Sequence, residues 1–233
     1  MLNLETLGSS SKGNCYIIRT SKNALILECG LPYKKIAKAL DFDFSNVSGC
    51  LISHEHKDHS KAAKDLCDHG IDVYCSTGTV MAMKLHHPRI TILEKEIQFR
   101  IGSFIVLPFA AEHDAVEPLG FLIYHAEFGK LLFITDSYTC RYRFKDLNYI
   151  MIEANYSKEI LQRNINNGLI PKILKQRILT SHFSIDNVKL FLSKLNLETV
   201  QEIMLIHLSD GNSDAKLFIE EIRSLTGKPT RIL

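Results

Sequence analysis

The chain has 233 residues, of which 45% are hydrophobic and 23% are charged, as in an ordinary globular protein. Its formal net charge of +2 argues against a polybasic nucleic-acid binder but leaves room for local basic patches. No apolar run reaches the roughly 18 residues of a membrane span, and the N-terminal residues 1–5 show no signal-peptide pattern. We therefore expect a cytoplasmic protein with no membrane partner, in which the six cysteines are reduced and mostly buried thiols.

Short apolar runs alternate with helical patterns along the whole chain. In the first half they predict strands 15–20 and 24–29, helix 32–40, strand 48–52, helix 60–69, edge strand 72–74, helix 79–86 and edge strand 90–93. In the second half they predict strands 97–101, 104–108, 119–125, 130–135 and 149–153, helices 158–164 and 186–195, strand 202–206 and helix 214–225. Strands with helices in both halves predict an α/β fold, a four-layer sandwich in which helices cover two packed sheets. The length allows one large domain or two small ones, and we expect a single domain over residues 1–233.

Three histidines and one aspartate lie in the hexapeptide His54-Glu55-His56-Lys57-Asp58-His59, directly after the buried strand 48–52. Alternation places His54 and His56 on one face of an extended segment, and Asp58 and His59 follow where the chain turns. Imidazole and carboxylate ligands suit zinc, manganese or iron. The hexapeptide therefore predicts two ligands for each of two adjacent metal ions.

Further candidate residues follow predicted strands or lie in polar loops, namely His113, Asp136, His182 and His207. Each has an ordinary structural alternative, since a histidine at a strand end is often only hydrogen-bonded and Asp136 suits a turn or a helix cap. A dinuclear site needs more ligands than the hexapeptide supplies, and loops after strands commonly carry chemistry on a rigid scaffold. We therefore interpret the candidates as one set.

The ligand order HxHxDH, His, Asp, His resembles that of the metallo-β-lactamase-fold hydrolases. The resemblance implies an αβ/βα sandwich with two divalent metal ions, zinc or manganese or iron, in a cleft at one edge of the sheets. It also implies the ligand assignment: His54, His56 and His113 for the first metal, Asp58, His59 and His207 for the second, and Asp136 as the bridge.

Within this fold the chain resembles the YycJ/WalJ-type DNA exonucleases more closely. The resemblance rests on segments 7–15, 27–31, 152–156 and 207–212. It implies a nuclease that cleaves phosphodiester bonds, with DNA as its partner. Glu28 stands where these families usually carry aspartate.

The mechanism that the resemblance implies is in-line attack on phosphorus by a hydroxide that bridges the two metals. Asp58 would orient this hydroxide, and His182 would act as general acid or stabilise the phosphate in the transition state. The loop from Gly8 to Asn14 offers Ser9, Ser10 and Asn14 to a substrate phosphate, with a plain hairpin loop as the alternative. The basic run 141–145 is either a solvated face or a DNA contact.

Two rival functions use the same residues. A thioester or lactone hydrolase of the glyoxalase II or lactonase type shares the ligand set, although only 26 residues follow His207, too few for the helical substrate domain usual in glyoxalase II enzymes. A metal-stabilised binding module without activity would usually have lost a ligand, and all seven are present here. The sequence therefore favours a metal-dependent phosphodiesterase.

Overall fold

The structure, a computed structural model, describes all residues from 1 to 233 and divides into two compact units. The first unit comprises residues 1–110 and 115–129, and the second comprises residues 111–114 and 130–233. None of the helices combines the length and the apolar character that crossing a membrane requires. The expectation of one catalytic domain over 1–233 stays a prediction.

The first unit is mainly β-structure with short helices. Strands β1, β2 and β3 are antiparallel neighbours, and β3, β4, β5 and β6 continue the same sheet in parallel. Strands β7, β8 and β9 form a separate antiparallel series within this unit. The elements are β1 (Asn3–Gly8), β2 (Cys15–Arg19), β3 (Ala24–Leu27), α1 (Tyr33–Ala39), β4 (Val47–Leu51), α2 (Lys57–Ser60), α3 (Ala63–Asp68), β5 (Val73–Cys75), α4 (Thr77–Met83), β6 (Ile90–Ile92), β7 (Phe99–Ile101), β8 (Phe104–Ala110) and β9 (Leu119–His125).

The core of the first unit contains five of the six cysteines. Cys15, Cys29, Cys50, Cys67 and Cys75 are buried among aliphatic side chains of the sheet and its helices. Burial raises the pKa of several of these thiols, to about 11 for Cys67 and to about 12 for Cys75. All six cysteines are free, which confirms the prediction of reduced and mostly buried thiols.

The second unit is built on four parallel strands. Its strand order is β13-β12-β11-β10, and the register pairs Leu131 with Tyr149 and Tyr149 with Glu202. Strand β11 is buried at every position, as expected for a parallel strand covered on both faces. The elements are β10 (Gly129–Ile134), which enters this unit at Lys130, β11 (Tyr149–Glu153), α5 (Lys158–Asn166), α6 (Lys172–Ser181), α7 (Ile185–Leu192), β12 (Glu202–Ile206), α8 (Ala215–Thr226) and β13 (Thr230–Ile232).

Side chains at the helix ends explain why the helices of the second unit begin and stop where they do. Ser157, Ser184 and Asp214 accept hydrogen bonds from the third backbone amide of α5, α7 and α8, respectively. Gly227 ends α8 in the left-handed conformation that favours glycine. Helix α6 has no such cap and starts after Pro171.

Most predicted elements are confirmed, with boundaries that differ by at most three residues. Of the segment predicted as helix 60–69, residues 63–68 form α3, whereas Ser60 is the last residue of the separate short helix α2. Strand β5, predicted at an edge, lies between β4 and β6. The sequence patterns missed β1, β13 and α6. Helix α6 was missed because it lacks a polar N-cap and because its apolar residues Ile173 and Leu174 are exposed, which breaks the helical periodicity.

Candidate metal centre

Most predicted site residues lie just beyond the end of a strand. In the first unit His54 and His56 follow β4, and Asp58 and His59 lie in α2. In the second unit Asp136 follows β10 and His207 follows β12. His113 follows β8, and His182 differs from the expectation because it ends helix α6. The structure thus gathers two sets of donors, one within each unit.

In the first unit two imidazoles direct nitrogen atoms at one point. His54 Nε2 lies 3.0 Å from His56 Nδ1, and His54 Nδ1 lies 2.9 Å from the hydroxyl of Ser53. The side chains of Ser53 and His54 are buried, with an exposed fraction of 1% each. The Ser53 hydroxyl therefore fixes the ring of His54 with Nε2 facing His56, as a ligating histidine requires.

A buried carboxylate supports His59 in the same unit. Glu28 is fully buried, and its Oε2 atom lies 3.5 Å from His59 Nδ1. The backbone amide of Ser53 donates to Glu28 Oε1 at 3.2 Å. His59 Nε2 in turn lies 3.4 Å from Asp58 Oδ2. Glu28 is thus placed to orient His59 toward Asp58.

The chain approaches this hexapeptide closely at two further positions. Asn14 is fully buried, and its side-chain amide nitrogen lies 3.2 Å from His59 Nε2. Its backbone amide donates to the carbonyl oxygen of Asp58 at 2.7 Å. A Cβ atom on Gly30 would lie 1.7 Å from the same carbonyl oxygen, so only glycine fits there.

In the second unit Asp136 is the centre of the donor set. Its exposed fraction is 3%, and Thr135 Oγ1 donates to its Oδ1 atom at 2.8 Å. His113 Nδ1 lies 2.7 Å from the carbonyl oxygen of Ser181, which requires a proton on Nδ1. The lone pair of His113 is therefore on Nε2, 3.6 Å from Asp136 Oδ2.

Glu153 connects two histidines of the second unit. Its Oε1 atom lies 2.6 Å from His182 Nδ1 and 3.0 Å from His207 Nδ1. Its Oε2 atom accepts hydrogen bonds from the backbone amides of Ser137 and Phe183 at 3.1 and 3.0 Å. One donor atom each of Asp136, Glu153, His182 and His207 lies within 4.8 Å of the others. Four hydrogen bonds therefore satisfy a carboxylate that has no access to water.

The charges in this cluster shift the pKa values in opposite directions. Burial is the largest influence and raises the pKa of Glu153, but the positive charge of His182 and the hydrogen bonds from His182 and His207 together hold the pKa below the ordinary value. Burial likewise lowers the pKa of His182, and the Glu153 carboxylate more than reverses this, so that the pKa of His182 is raised. Burial also lowers the pKa of His113, which keeps this imidazole neutral near pH 7.

Two residues of the centre have unusual backbone conformations. Glu28 and His207 have φ angles of 63° and 53°, in the left-handed region that costs non-glycine residues free energy. Neighbouring hydrogen bonds fix both: the Glu28 amide donates to Leu51 O at 2.9 Å, and Asn155 Nδ2 donates to His207 O at 2.9 Å.

The donor set fits divalent metal ions. In His54, His59, His113 and His207 an oxygen atom faces Nδ1, which leaves Nε2 as the nitrogen for a ligand. Second partners of this kind are typical of ligating histidines. Imidazole and carboxylate donors without thiolate suit zinc, manganese or iron. The assignment of individual residues to each metal stays a prediction.

Side chains of the predicted substrate loop already make hydrogen bonds within the protein. Ser9 Oγ accepts a hydrogen bond from the Tyr16 hydroxyl at 2.8 Å, and Ser10 Oγ accepts one from the Lys12 amide at 3.2 Å. Both serines are half-buried. Asn14 contacts the hexapeptide, as described above, so its side chain positions His59. A phosphate contact by Ser9, Ser10 and Asn14 stays a prediction.

Sequence reasoning missed Glu153 as a functional residue. Its signal was an acidic residue at the end of a strand that is otherwise wholly apolar, residues 149–152. A charge at such a position is almost never buried without a partner. The sequence pattern does not identify the partners, because His182 and His207 lie 29 and 54 residues further along the chain.

Replacing Glu28 tests its support of His59. We expect Glu28→Ala to weaken zinc binding about 10- to 100-fold, since His59 and the Ser53 amide lose their buried acceptor. Glu28→Asp should retain most of the affinity, because aspartate tolerates the left-handed backbone. Competition with a chromophoric chelator measures the affinity. The exposed Glu94→Ala is the control, and unchanged zinc binding by Glu28→Ala would contradict the assigned role.

Comparison with known proteins shows the family to which the chain belongs. The family model of the beta-lactamase superfamily domain matches residues 33–208. The exodeoxyribonuclease YycJ of Bacillus anthracis is 30% identical over 232 residues, covering 93% of this chain and 86% of the relative. The exodeoxyribonuclease WalJ of Streptococcus pneumoniae is 30% identical over 229 residues, covering 91% and 83%.

A solved structure agrees on the fold. The metallo-β-lactamase-fold protein YhfI from Bacillus subtilis superposes with a TM-score of 0.76 at 12% identity, covering 100% of this chain and 96% of that one. The predicted α/β class and metallo-β-lactamase fold are confirmed. The chain is an enzyme of the beta-lactamase superfamily, a metallo-β-lactamase-fold hydrolase whose sequence relatives include the YycJ and WalJ exodeoxyribonucleases.

Proposed function

We propose that this hydrolase is a DNA exonuclease that depends on two divalent metal ions. The observation that carries the proposal is the 2.6 Å contact between His182 and Glu153 beside Asp136, because it supplies an acid for a poor leaving group. The identity to two exodeoxyribonucleases over more than nine-tenths of the chain supports DNA as the substrate. The six free cysteines agree with the cytoplasm as its compartment.

The metal ligands that we propose follow the order of the family motif. His54, His56 and His113 would hold one ion, Asp58, His59 and His207 the other, and Asp136 both. Bound divalent ions supply an activated water and neutralise charge on the phosphate oxygens. Asp58 would also orient the attacking water, since its carboxylate lies beside His59 Nε2.

His182 acts as the general acid in this proposal. Its Nδ1 atom is held by Glu153, so Nε2 is the nitrogen that presents a proton to the substrate. The raised pKa of His182 keeps the imidazolium populated at higher pH than an ordinary histidine. Protonation of the leaving 3′ or 5′ oxygen by this imidazolium completes phosphodiester cleavage.

The pair of His182 and Glu153 favours cleavage of a phosphodiester bond over cleavage of a thioester bond. A thiolate with a pKa near 8.5 leaves without help from an acid. An alkoxide is far more basic and needs a proton in the transition state. A carboxylate that raises the pKa of His182 is therefore useful for a phosphodiester or a lactone and unnecessary for a thioester. Among these substrates, the sequence relatives favour DNA.

Degradation of DNA tests the proposal directly. Purified protein with manganese or zinc should release label progressively from the ends of linear double-stranded DNA. Asp136→Ala should lose about a thousandfold of this activity or more, because several kcal/mol of metal-derived stabilisation disappear. The exposed Asp43→Ala serves as the matched control and should retain full activity.

Two results would contradict the proposal. Intact DNA under both metals, from wild-type protein that binds metal, would exclude the exonuclease activity. Equal loss of label with Asp136→Ala would assign the nuclease to a contaminant.

Removing the Glu153 carboxylate tests the role of His182. The glutamate raises the pKa of His182, so Glu153→Gln lowers it, and the acid form is lost at lower pH. We expect the alkaline limb of the pH profile of kcat/KM to move to lower pH. Glu220→Gln on the surface of α8 is the control. An unmoved limb in Glu153→Gln would show that another group is the acid.

A further inference from the structure

One α-helical hairpin carries a larger net positive charge than the whole chain. This hairpin, residues 158–181, comprises α5, the connection 167–171 and α6. It contains five basic residues and one acidic residue, a net charge of +4, whereas the whole chain has +2 and the remainder therefore −2. Such charge asymmetry marks a surface for a polyanion. The basic residues are Lys158, Arg163, Lys172, Lys175 and Arg177.

The tip of the hairpin also exposes apolar side chains. Ile173 is 85% exposed, Leu169 is 71% exposed and Leu174 is 43% exposed. Among the large hydrophobic residues of the chain, only the N-terminal methionine is more exposed than Ile173. Lys172 lies between these residues in sequence and is itself exposed. Apolar side chains flanked by cations can contact bases while the cations contact phosphates.

The exposed apolar side chains of the tip, Leu169, Ile173 and Leu174, are not part of the small core of the hairpin. That core consists of Tyr156, Leu161 and Ile165, against which Ile170, Ile178 and Leu179 pack. Lys175 Nζ donates to Gln162 Oε1 at 2.7 Å and joins the two helices. Asn164 Nδ2 donates to the carbonyl oxygen of Gly211 at 2.8 Å. The exposed apolar side chains at the tip are therefore available to contact a ligand without disturbing this core.

The hairpin leads directly into the candidate centre. Helix α6 ends at His182, and the carbonyl oxygen of Ser181 accepts the hydrogen bond from His113 Nδ1. Arg177 on the last turns of α6 pairs with Asp114 at 2.8 Å, next to His113. By contrast, Arg141 of the basic run 141–145 is occupied by Glu112 at 2.6 Å. Of the two basic segments, the hairpin has the larger number of exposed cations for a substrate.

From these observations we propose that the tip of the hairpin, residues 168–174, binds the single-stranded end of the DNA substrate. Leu169 and Ile173 contact unstacked bases, and Lys172 with Arg163 contacts the phosphates. In a single-stranded segment the base faces are open to such side chains without the cost of unstacking a duplex, so we commit to a single strand. The inference rests on the proposed exonuclease function and adds where the strand lies.

The length of α6 sets the distance between the tip of the hairpin and His182. At 1.5 Å per residue, Lys172 lies about 14 Å along the helix axis from Ser181. At the 3.4 Å rise of B-DNA this span corresponds to about four nucleotides, and the unstacked strand proposed here is more extended and covers it with fewer. The tip would therefore hold the strand at most about four nucleotides from the bond that is cleaved. Binding at the tip would also fix the helix that bears His182.

Binding of DNA without cleavage tests this inference. The probe is a fluorescein-labelled oligothymidylate of about 16 nucleotides, the upper end of known single-strand sites. Fluorescence anisotropy with the full chain in EDTA gives Kd at several salt concentrations. The charge variant is Arg163→Glu/Lys172→Glu, and the apolar variant is Leu169→Ser/Ile173→Ser. Matched controls on α8 are Lys216→Glu and Leu225→Ser, at exposed positions.

Both hairpin variants should raise Kd about tenfold or more, and the α8 controls should bind like wild type. In the charge variant the dependence of log Kd on log salt should fall by about 0.7 for each phosphate that the protein no longer neutralises. The apolar variant should keep the wild-type salt dependence, since it removes no charge. Its circular dichroism should be unchanged, because the substituted side chains lie outside the small core of the hairpin.

Three outcomes would overturn the inference: no binding of the probe by wild type, unchanged Kd in both hairpin variants, or a wild-type dimer that the apolar variant converts to monomers with unchanged Kd. The last result, seen by analytical ultracentrifugation, would make the tip a self-association surface. Failure of the proposed exonuclease function would give a different result from failure of this inference. A protein that binds through the tip but degrades no DNA would retain this inference and lose the exonuclease activity.

Discussion

Burial of a carboxylate next to imidazole is the interaction on which the candidate centre depends. Glu28 in the first unit and Glu153 in the second have no exposed surface, and each faces the Nδ1 atom of a histidine. A buried carboxylate without partners would cost several kcal/mol. Backbone amides at neighbouring strand ends supply the remaining hydrogen bonds. These contacts fix the direction of each imidazole before any metal binds.

The two carboxylates differ in the number and length of the hydrogen bonds that they accept. Glu153 receives hydrogen bonds of 2.6 to 3.1 Å from two histidines and two amides, and its pKa is lowered. Glu28 has longer contacts of 3.2 to 3.5 Å, and burial raises its pKa. Charge on His59 or on a nearby metal would stabilise the ionised form of Glu28. The order of the donor set in the first unit therefore depends more on a bound metal, whereas hydrogen bonds within the protein order the donor set in the second unit.

The sequence predicted the strand ends well because buried parallel strands have long apolar runs, as in residues 149–152 and 203–206, followed at once by polar residues. It also predicted the hexapeptide, because three histidines in six residues rarely occur by chance. It failed for Glu153, whose partners are distant in sequence, and for helix α6, whose exposed Ile173 hides the helical period. The left-handed backbone of Glu28 and His207 has no sequence signal either, since neither is glycine or asparagine.

The central claim is the proposed binding of two divalent metal ions by the predicted ligand residues. Metal analysis of the purified chain, after loading with zinc or manganese and removal of excess, tests it most directly. We predict two ions per chain in wild type and fewer in Asp136→Ala, with the same circular dichroism spectrum in both. One ion or none in a folded wild-type chain would contradict it.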